Sequence, residues 1–203
     1  LGGWGNEQFK TSINTTPTKA TKGKIGEQGH FKIELELFAD IGLIGLPNAG
    51  KSSLLNAVTH AHAKIGSYQF TTLDPNLGDF YGNIIADIPG LIEGASEGKG
   101  LGIKFLKHIK RTQMLAHLVS FENENMMKTY KQIRKELGAY DKTLLDKDEV
   151  IVLTKTDTVD QKTIDKRIKE FEKLDKPVLT LSLYDDASVK AFMKTLAKFL
   201  KGK

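Results

Sequence analysis

The chain has 203 residues, 39% hydrophobic and 27% charged, the balance of an ordinary globular protein of one domain or one domain with a small attachment. It has no cysteine, which excludes disulfides and cysteine-ligated metal or iron–sulfur sites, and no apolar run near the roughly 20 residues of a membrane span. The net charge of +5 is local: Gln161 to Lys203 hold 11 basic and 6 acidic residues, and a basic C-terminal third allows contact with nucleic acid.

No signal peptide is read, and the start at Leu1 instead of Met points to a natural N-terminus further upstream. Residues 1–30 hold six glycines, many Thr and Lys, and no helical period, so they predict irregular or extended structure. Phe31, Ile33, Leu35 and Leu37 then alternate with Lys32, Glu34 and Glu36, the pattern of a strand with one buried face.

From Asp40 apolar strands alternate with amphipathic helices. The chain reads as a strand over Ile41–Leu46, a helix from Lys51 to about His62, a strand over Ile84–Ile88, a helix over Leu101–Ile109 and a strand over Leu115–Phe121. Met126, Tyr130, Ile133 and Leu137 give the next helix its inner face. A strand follows over Val150–Leu153, then a helix marked by Ile164, Ile168 and Phe171, and a last strand over Val178–Leu183. Val189, Phe192, Met193, Leu196, Phe199 and Leu200 form the stripe of a closing helix. Such alternation predicts an α/β fold, a mostly parallel sheet with helices on both faces.

Gly45-Leu46-Pro47-Asn48-Ala49-Gly50-Lys51-Ser52 matches the phosphate-loop pattern at the required junction of strand and helix. The glycines let backbone N–H groups turn toward a polyphosphate, and the helix adds its positive N-terminal dipole. Lys51 can reach the β- and γ-phosphates, and the Ser52 hydroxyl can ligate Mg²⁺. Asp87-Ile88-Pro89-Gly90 ends a strand, where Asp87 can hold Mg²⁺ through its water shell and the Gly90 N–H can reach a γ-phosphate. Phe70-Thr71-Thr72-Leu73-Asp74 offers a hydroxyl for the Mg²⁺ shell, from either Thr71 or Thr72. Thr154-Lys155-Thr156-Asp157 follows a strand, and a carboxylate there accepts from guanine N1–H and N2–H₂, a donor pair adenine lacks. Lys155 can lay its stem along the base, and Ser182 can bring a further loop against it.

The wording around these elements is more specific. Ala39 to Ile44 leads into the phosphate loop, Tyr68 to Gly78 reads as a first switch, and Ala86 to Gly102 as a second. Together they closely resemble the Obg family of bacterial GTPases, and the glycine-rich start (Gly2-Gly3-Trp4-Gly5-Asn6, with Ser12, Asn14 and Pro17) resembles the end of that family's N-terminal domain. The resemblance implies a P-loop GTP-binding domain over 39–203, preceded by a remnant of the glycine-rich domain over 1–38. It implies nucleotide contacts at Gly45 to Ser52, Phe70 to Asp74, Asp87 to Gly90, Thr154 to Asp157, and Ser182, Leu183 and Tyr184. It also assigns Mg²⁺ to Ser52 and Thr72, beside Asp87, and makes Lys51, Thr72 and Gly90 the candidates for catalytic roles.

The resemblance further implies GTP and GDP as ligands, guanosine tetraphosphate as a stress ligand, and the large ribosomal subunit and its RNA as partners of a cytoplasmic, monomeric protein. Two departures carry expectations. Thr154 stands where Asn is usual, predicting a weaker link to the phosphate loop, and Leu183 stands where Ala is usual. The connection Asp79-Phe80-Tyr81-Gly82-Asn83 is short for the family, which leaves either a short hairpin or a sequence that lacks some residues there. A binding module in which GTP only orders the switch loops is the alternative to a switching GTPase. Asp157 disfavours an ATP-using phosphoryl transferase. The histidines, His30, His60, His62, His108 and His117, form no ligand pattern and read as structural or solvated. Trp4 reads as anchored in the glycine-rich segment, and Lys190, Lys194, Lys198 and Lys201 line one side of the closing helix, as a solvated face or an RNA contact.

Overall fold

The structure, a computed structural model, describes residues 1–31, 39–59, 76–88 and 109–201. The chain divides into two compact units, Leu1–Leu35 and Glu36–Lys203. In the first, the regular structure among the described residues is a short 3-10 helix over Asn6–Phe9. Trp4 is anchored there by its backbone, which exchanges hydrogen bonds with Thr21, and its ring is 61% exposed against Phe9.

The second unit is a six-stranded sheet. Its strands are β1 (Ala39–Gly45), β2 (Asn76–Phe80), β3 (Asn83–Asp87), β4 (Thr112–Ser120), β5 (Asp148–Thr154) and β6 (Val178–Leu181), in the order β2-β3-β1-β4-β5-β6. All neighbours run parallel except β2 and β3, which form a hairpin. Among the described residues the α-helices bounded at both ends are α1 (Lys51–Val58), α2 (Met126–Tyr140), α3 (Gln161–Glu172) and α4 (Asp186–Lys201), and Ile109 and Lys110 are helical as well. Asn125 and Asp160 cap α2 and α3 through side-chain oxygens that accept from Lys128 and Thr163 backbone N–H groups.

The period-2 pattern of the central strands divides the core. Ile41, Leu43, Met114, Ala116, Val150 and Val152 face α1 and α4, packing with Leu54, Leu55, Val58, Phe192 and Leu196. Ile44, Leu115, Val119, Ile151 and Leu153 face the other way, toward Met126, Tyr130, Ile133 and Leu137 of α2 and Phe171 of α3. Each fully buried Val, Leu, Ile, Met or Phe among them contributes roughly 1.5–3 kcal/mol. Burial on both faces is why β1, β4 and β5 read as continuous apolar runs.

Several boundaries differ from expectation. Strand β2 was read as switch and connection: its sequence Asn76-Leu77-Gly78-Asp79-Phe80 lies on the sheet edge, where one polar side is tolerated, and only Gly78 and Phe80 are buried. Strand β4 begins at Thr112, and β6 stops at Leu181, so Ser182 and Leu183 belong to the loop that follows. The connection Asp79–Asn83 is a hairpin closed by the two-residue turn Tyr81-Gly82, with φ of 51° and 83°. The first helix is shorter than the expected Lys51 to about His62: it ends at Val58, where Thr59 turns extended and its N–H closes the last turn on the Leu55 carbonyl. The strand expected over Phe31–Leu37 beyond Phe31, and the helix expected over Leu101–Ile109 up to residue 108, lie outside the described residues.

Candidate functional site

Parallel strands place their C-terminal ends, and the loops that follow them, along one edge of the sheet. There β1 runs into the loop Leu46–Gly50 and then α1. Gly45 sits so close to β4 that a Cβ on it would lie 2.6 Å from the Leu118 carbonyl oxygen, and Gly50 enters α1 with φ of 92°. Both positions require glycine. Asn48 also takes a positive φ, 64°, which Asn tolerates better than most residues.

The loop and α1 open onto a cavity of about 780 Å³, lined by Asn48, Ala49, Gly50, Lys51, Ser52, Glu122, Thr154, Lys155, Asp157, Leu183 and Tyr184 among others. Lys51 is 7% exposed, and its Nζ donates to the carbonyls of Gly45 at 3.0 Å and Leu46 at 2.9 Å. Burial pushes the Lys51 ammonium below its ordinary range, and the Asp87 carboxylate opposes that. The Ser52 hydroxyl donates to Asp87 Oδ2, while Asp87 Oδ1 is buried with no hydrogen-bond partner. A buried carboxylate oxygen without a donor is costly unless something else meets it.

On the far wall, β5 delivers Thr154 and the turn after it. The Thr154 hydroxyl donates to the Ala49 carbonyl at 2.9 Å, in a fully buried contact. The link from Thr154 to the phosphate loop is thus a single direct bond: the hydroxyl is short, but the sheet brings the loop within its reach. Lys155 adopts φ of 63°, and its ammonium pairs with Glu122. The Ser182 hydroxyl donates to Asp157 Oδ1 at 2.7 Å, and the Tyr184 N–H donates to the Ser182 hydroxyl at 3.3 Å. Ser182 thus fixes the carboxylate. Leu183 lies on the cavity wall, and Tyr184, 93% exposed, stands at its rim.

Not every residue singled out from the sequence reaches the cavity. Gly45, Leu46, Pro47, Asp87, Ile88, Thr156 and Ser182 lie off its wall. Ile88 is 2% exposed and packs in the core below, so a side-chain contact to a ligand is ruled out for it. Phe70, Thr71, Thr72, Leu73, Asp74, Pro89 and Gly90 lie outside the described residues. Glu122 was missed: it follows the end of β4, one loop over from Lys155, and only the pairing of β4 with β5 brings the two together. Among the described residues no group of three or more His, Asp or Glu could hold a metal by itself. No described helix is long and apolar enough to cross a membrane.

The family profile described as 50S ribosome-binding GTPase matches residues 40–155. The chain is 48% identical over 204 residues to the GTPase Obg of Pelagibacter ubique and 46% identical over 205 residues to that of Rickettsia felis, in each case over 98% of this chain and 62% of the relative. It thus spans about three fifths of the length of the curated relatives it matches. Among solved structures, a mutant NFeoB of S. thermophilus bound to GDP has the same fold, with a TM-score of 0.60 at 22% identity, over 77% of this chain and 59% of that one.

Proposed function

The chain belongs to the 50S ribosome-binding GTPase family, and we propose that it binds GTP and GDP with Mg²⁺, hydrolyses GTP slowly to GDP and phosphate, and acts as a switch in assembly of the large ribosomal subunit. In this reading residues 39–203 are the GTP-binding domain, and residues 1–38 are the tail of a glycine-rich N-terminal domain. The protein works in the cytoplasm as a monomer, docks on the large subunit, and takes guanosine tetraphosphate at the same guanine site.

The observation that carries the reading is the Asp157 carboxylate, held by Ser182 on the wall that faces the phosphate loop. One lone pair of Oδ1 is used by Ser182, and Oδ2 remains for the guanine N1–H and N2–H₂ donors. Thr154 ties this wall to Ala49, so base and phosphate contacts are set at a fixed separation. Lys51 brings a positive charge to the phosphates, and the backbone N–H groups from Asn48 to Ser52 surround them. Lys155, steadied by Glu122, presents its stem to the base plane.

The residues present fit Mg²⁺. Ser52 and Asp87 are already in contact, and the unpartnered Asp87 Oδ1 is an oxygen of the kind that cation prefers, directly or through water. Bound there with Thr72, Mg²⁺ supplies charge neutralisation between the β- and γ-phosphates. Gly90, by sequence position, offers its N–H to the γ-phosphate.

Removing the Ser52 hydroxyl tests the metal assignment. Ser52→Ala keeps GDP binding close to that of the parent but loses the Mg²⁺-dependent part of GTP affinity. Calorimetric titration with GTP at several Mg²⁺ concentrations reads this directly, and equal Mg²⁺ dependence in variant and parent rejects the role.

The rate is a second test. In switch GTPases a Gln after the Asp-x-x-Gly element orients the attacking water, and here Leu91 stands there with no donor or acceptor. The isolated chain therefore turns over at roughly 10⁻⁴–10⁻² s⁻¹, the span of unassisted switch GTPases. Large ribosomal subunits accelerate it by supplying or positioning the missing group. Single-turnover phosphate release with and without subunits measures both, and a free rate of about 1 s⁻¹ contradicts the assignment.

A further inference from the structure

A groove of about 810 Å³ lies between the β2–β3 hairpin and α4, with Ala57 of α1 at its edge and none of the base-reading residues in its wall. We infer that this groove is a docking surface for a single-stranded RNA segment, which stacks a base on Tyr81 and lays its phosphates along Lys190, Lys194 and Lys198. The source of that RNA, the large ribosomal subunit, rests on the function proposed above; the surface itself does not.

The hairpin tip gives the first observation. A two-residue turn with positive φ at both positions takes Asn-Gly or Asp-Gly by preference, because a bulky side chain is strained there. This turn carries Tyr81 at φ of 51°, and the side chain is 67% exposed, so burial does not explain the choice. One edge of the ring is nevertheless supported, and the turn that carries it is braced. The ring meets Phe80 edge to face at 4.8 Å, and the Asn83 amide donates to the Phe80 and Tyr81 carbonyls. A solvent-facing aromatic ring held out on a braced turn is what a nucleobase stacks on.

The facing helix gives the second, independent observation. Lys190, Lys194 and Lys198 stand on successive turns of α4, about 6 Å apart along the axis. All three are exposed, and no carboxylate pairs with them among the described residues. Beneath them Val189, Met193 and Ala197 are half-buried and floor the groove with apolar surface. Among the described residues of the wall Asp186 is the one carboxylate, against three lysines. An acidic peptide uses the lysines but has no use for the raised ring. A duplex uses the lysines but offers no free base face. A single strand uses ring, floor and charges together.

The test is fluorescence anisotropy on the full chain with a labelled single-stranded RNA of about ten nucleotides, a length within the range one such module covers. The parent binds, with affinity falling as salt rises. Changing Lys190, Lys194 and Lys198 together to Gln lowers the slope of log affinity against log salt by about 2, the value for three lost phosphate contacts on a single strand. The triple Arg variant keeps the slope. Tyr81→Ala weakens binding about tenfold and Tyr81→Phe does not. Unchanged RNA binding in the Gln variant overturns the inference. So does tighter binding of duplex RNA or of a poly-glutamate peptide. Affinity for GDP, measured on the same variants, stays at the parent value, so damage to the nucleotide site is seen separately. Co-sedimentation with large subunits separates the two readings: RNA binding without co-sedimentation of the parent removes the ribosomal role and leaves the surface standing.

Discussion

Asp157→Asn weakens GTP and GDP binding by about 2–4 kcal/mol, roughly thirty- to a thousand-fold, and strengthens binding of the xanthine nucleotides. The Asn amide puts a donor where guanine also presents N2–H₂, leaving two donors face to face, whereas xanthine carries a carbonyl at that position. The side chain is exposed in the turn after β5, so the fold tolerates the change. Ser182 still finds an acceptor on the Asn side-chain oxygen, which keeps the loop after β6 in place. Competition between GDP and xanthosine diphosphate for a fluorescent nucleotide, run on parent and variant, gives the exchange of preference in one experiment. An Asp157→Asn protein that holds GTP as tightly as the parent removes Asp157 from the base-reading role and with it the main support for guanine selectivity.

The parts of this site legible in the sequence are those written contiguously. The eight residues Gly45 to Ser52 specify a strand end, a turn that needs glycine and a helix start, and each neighbour restates the same local geometry. Asp157 was legible because its tetrapeptide follows an apolar strand. What the sequence does not display is pairing across the sheet. Thr154 and Ala49 are 105 positions apart, and Ser182 and Asp157 are 25 apart. The β2 hairpin escaped because an edge strand with one exposed side carries a diluted period, and Gly78 within it reads as a breaker. Gly78 is instead a close approach, since a Cβ there would run into the side chain of Thr59. Glu149 escaped for a related reason, while His117, read as structural or solvated, is structural. A charged residue at the head of an apolar strand reads as a solvated end, and only the facing helix shows that it is sealed.

Glu149 carries the largest stability effect expected of any single polar residue outside the nucleotide site. Its side chain has no solvent exposure. Its Oε1 accepts from His117 Nδ1 at 2.9 Å, and its Oε2 accepts from the Tyr130 hydroxyl at 3.2 Å and pairs with Arg134 at 3.1 Å. The His117 ring also stacks on Tyr130 at 4.7 Å, and Tyr130 meets Phe171 edge to face, so the cluster ties β4 and β5 to α2 and α3. Burial pushes the Glu149 carboxyl up, but His117, Arg134 and Tyr130 together outweigh it and hold it below the ordinary carboxylate range. Burial, then the Glu149 charge, pushes the Tyr130 hydroxyl up, so it stays a donor. Glu149→Gln leaves Arg134 without its counter-charge and sets an amide N–H₂ against one of the donors, at a cost of about 3–5 kcal/mol at neutral pH. The sign of the pH dependence follows from the lowered value. The stabilisation is fully present above the ordinary Glu range, about pH 4.3, and fades as pH falls through the still lower folded-state value. The gap between parent and variant in urea midpoint is therefore widest and flat from neutral pH down to about 5, and closes below about 4. A gap that stays constant down to acid, or one that widens there, means the carboxylate is not the charged centre of the cluster. Nucleotide affinity is the control, because all four residues lie off the cavity wall.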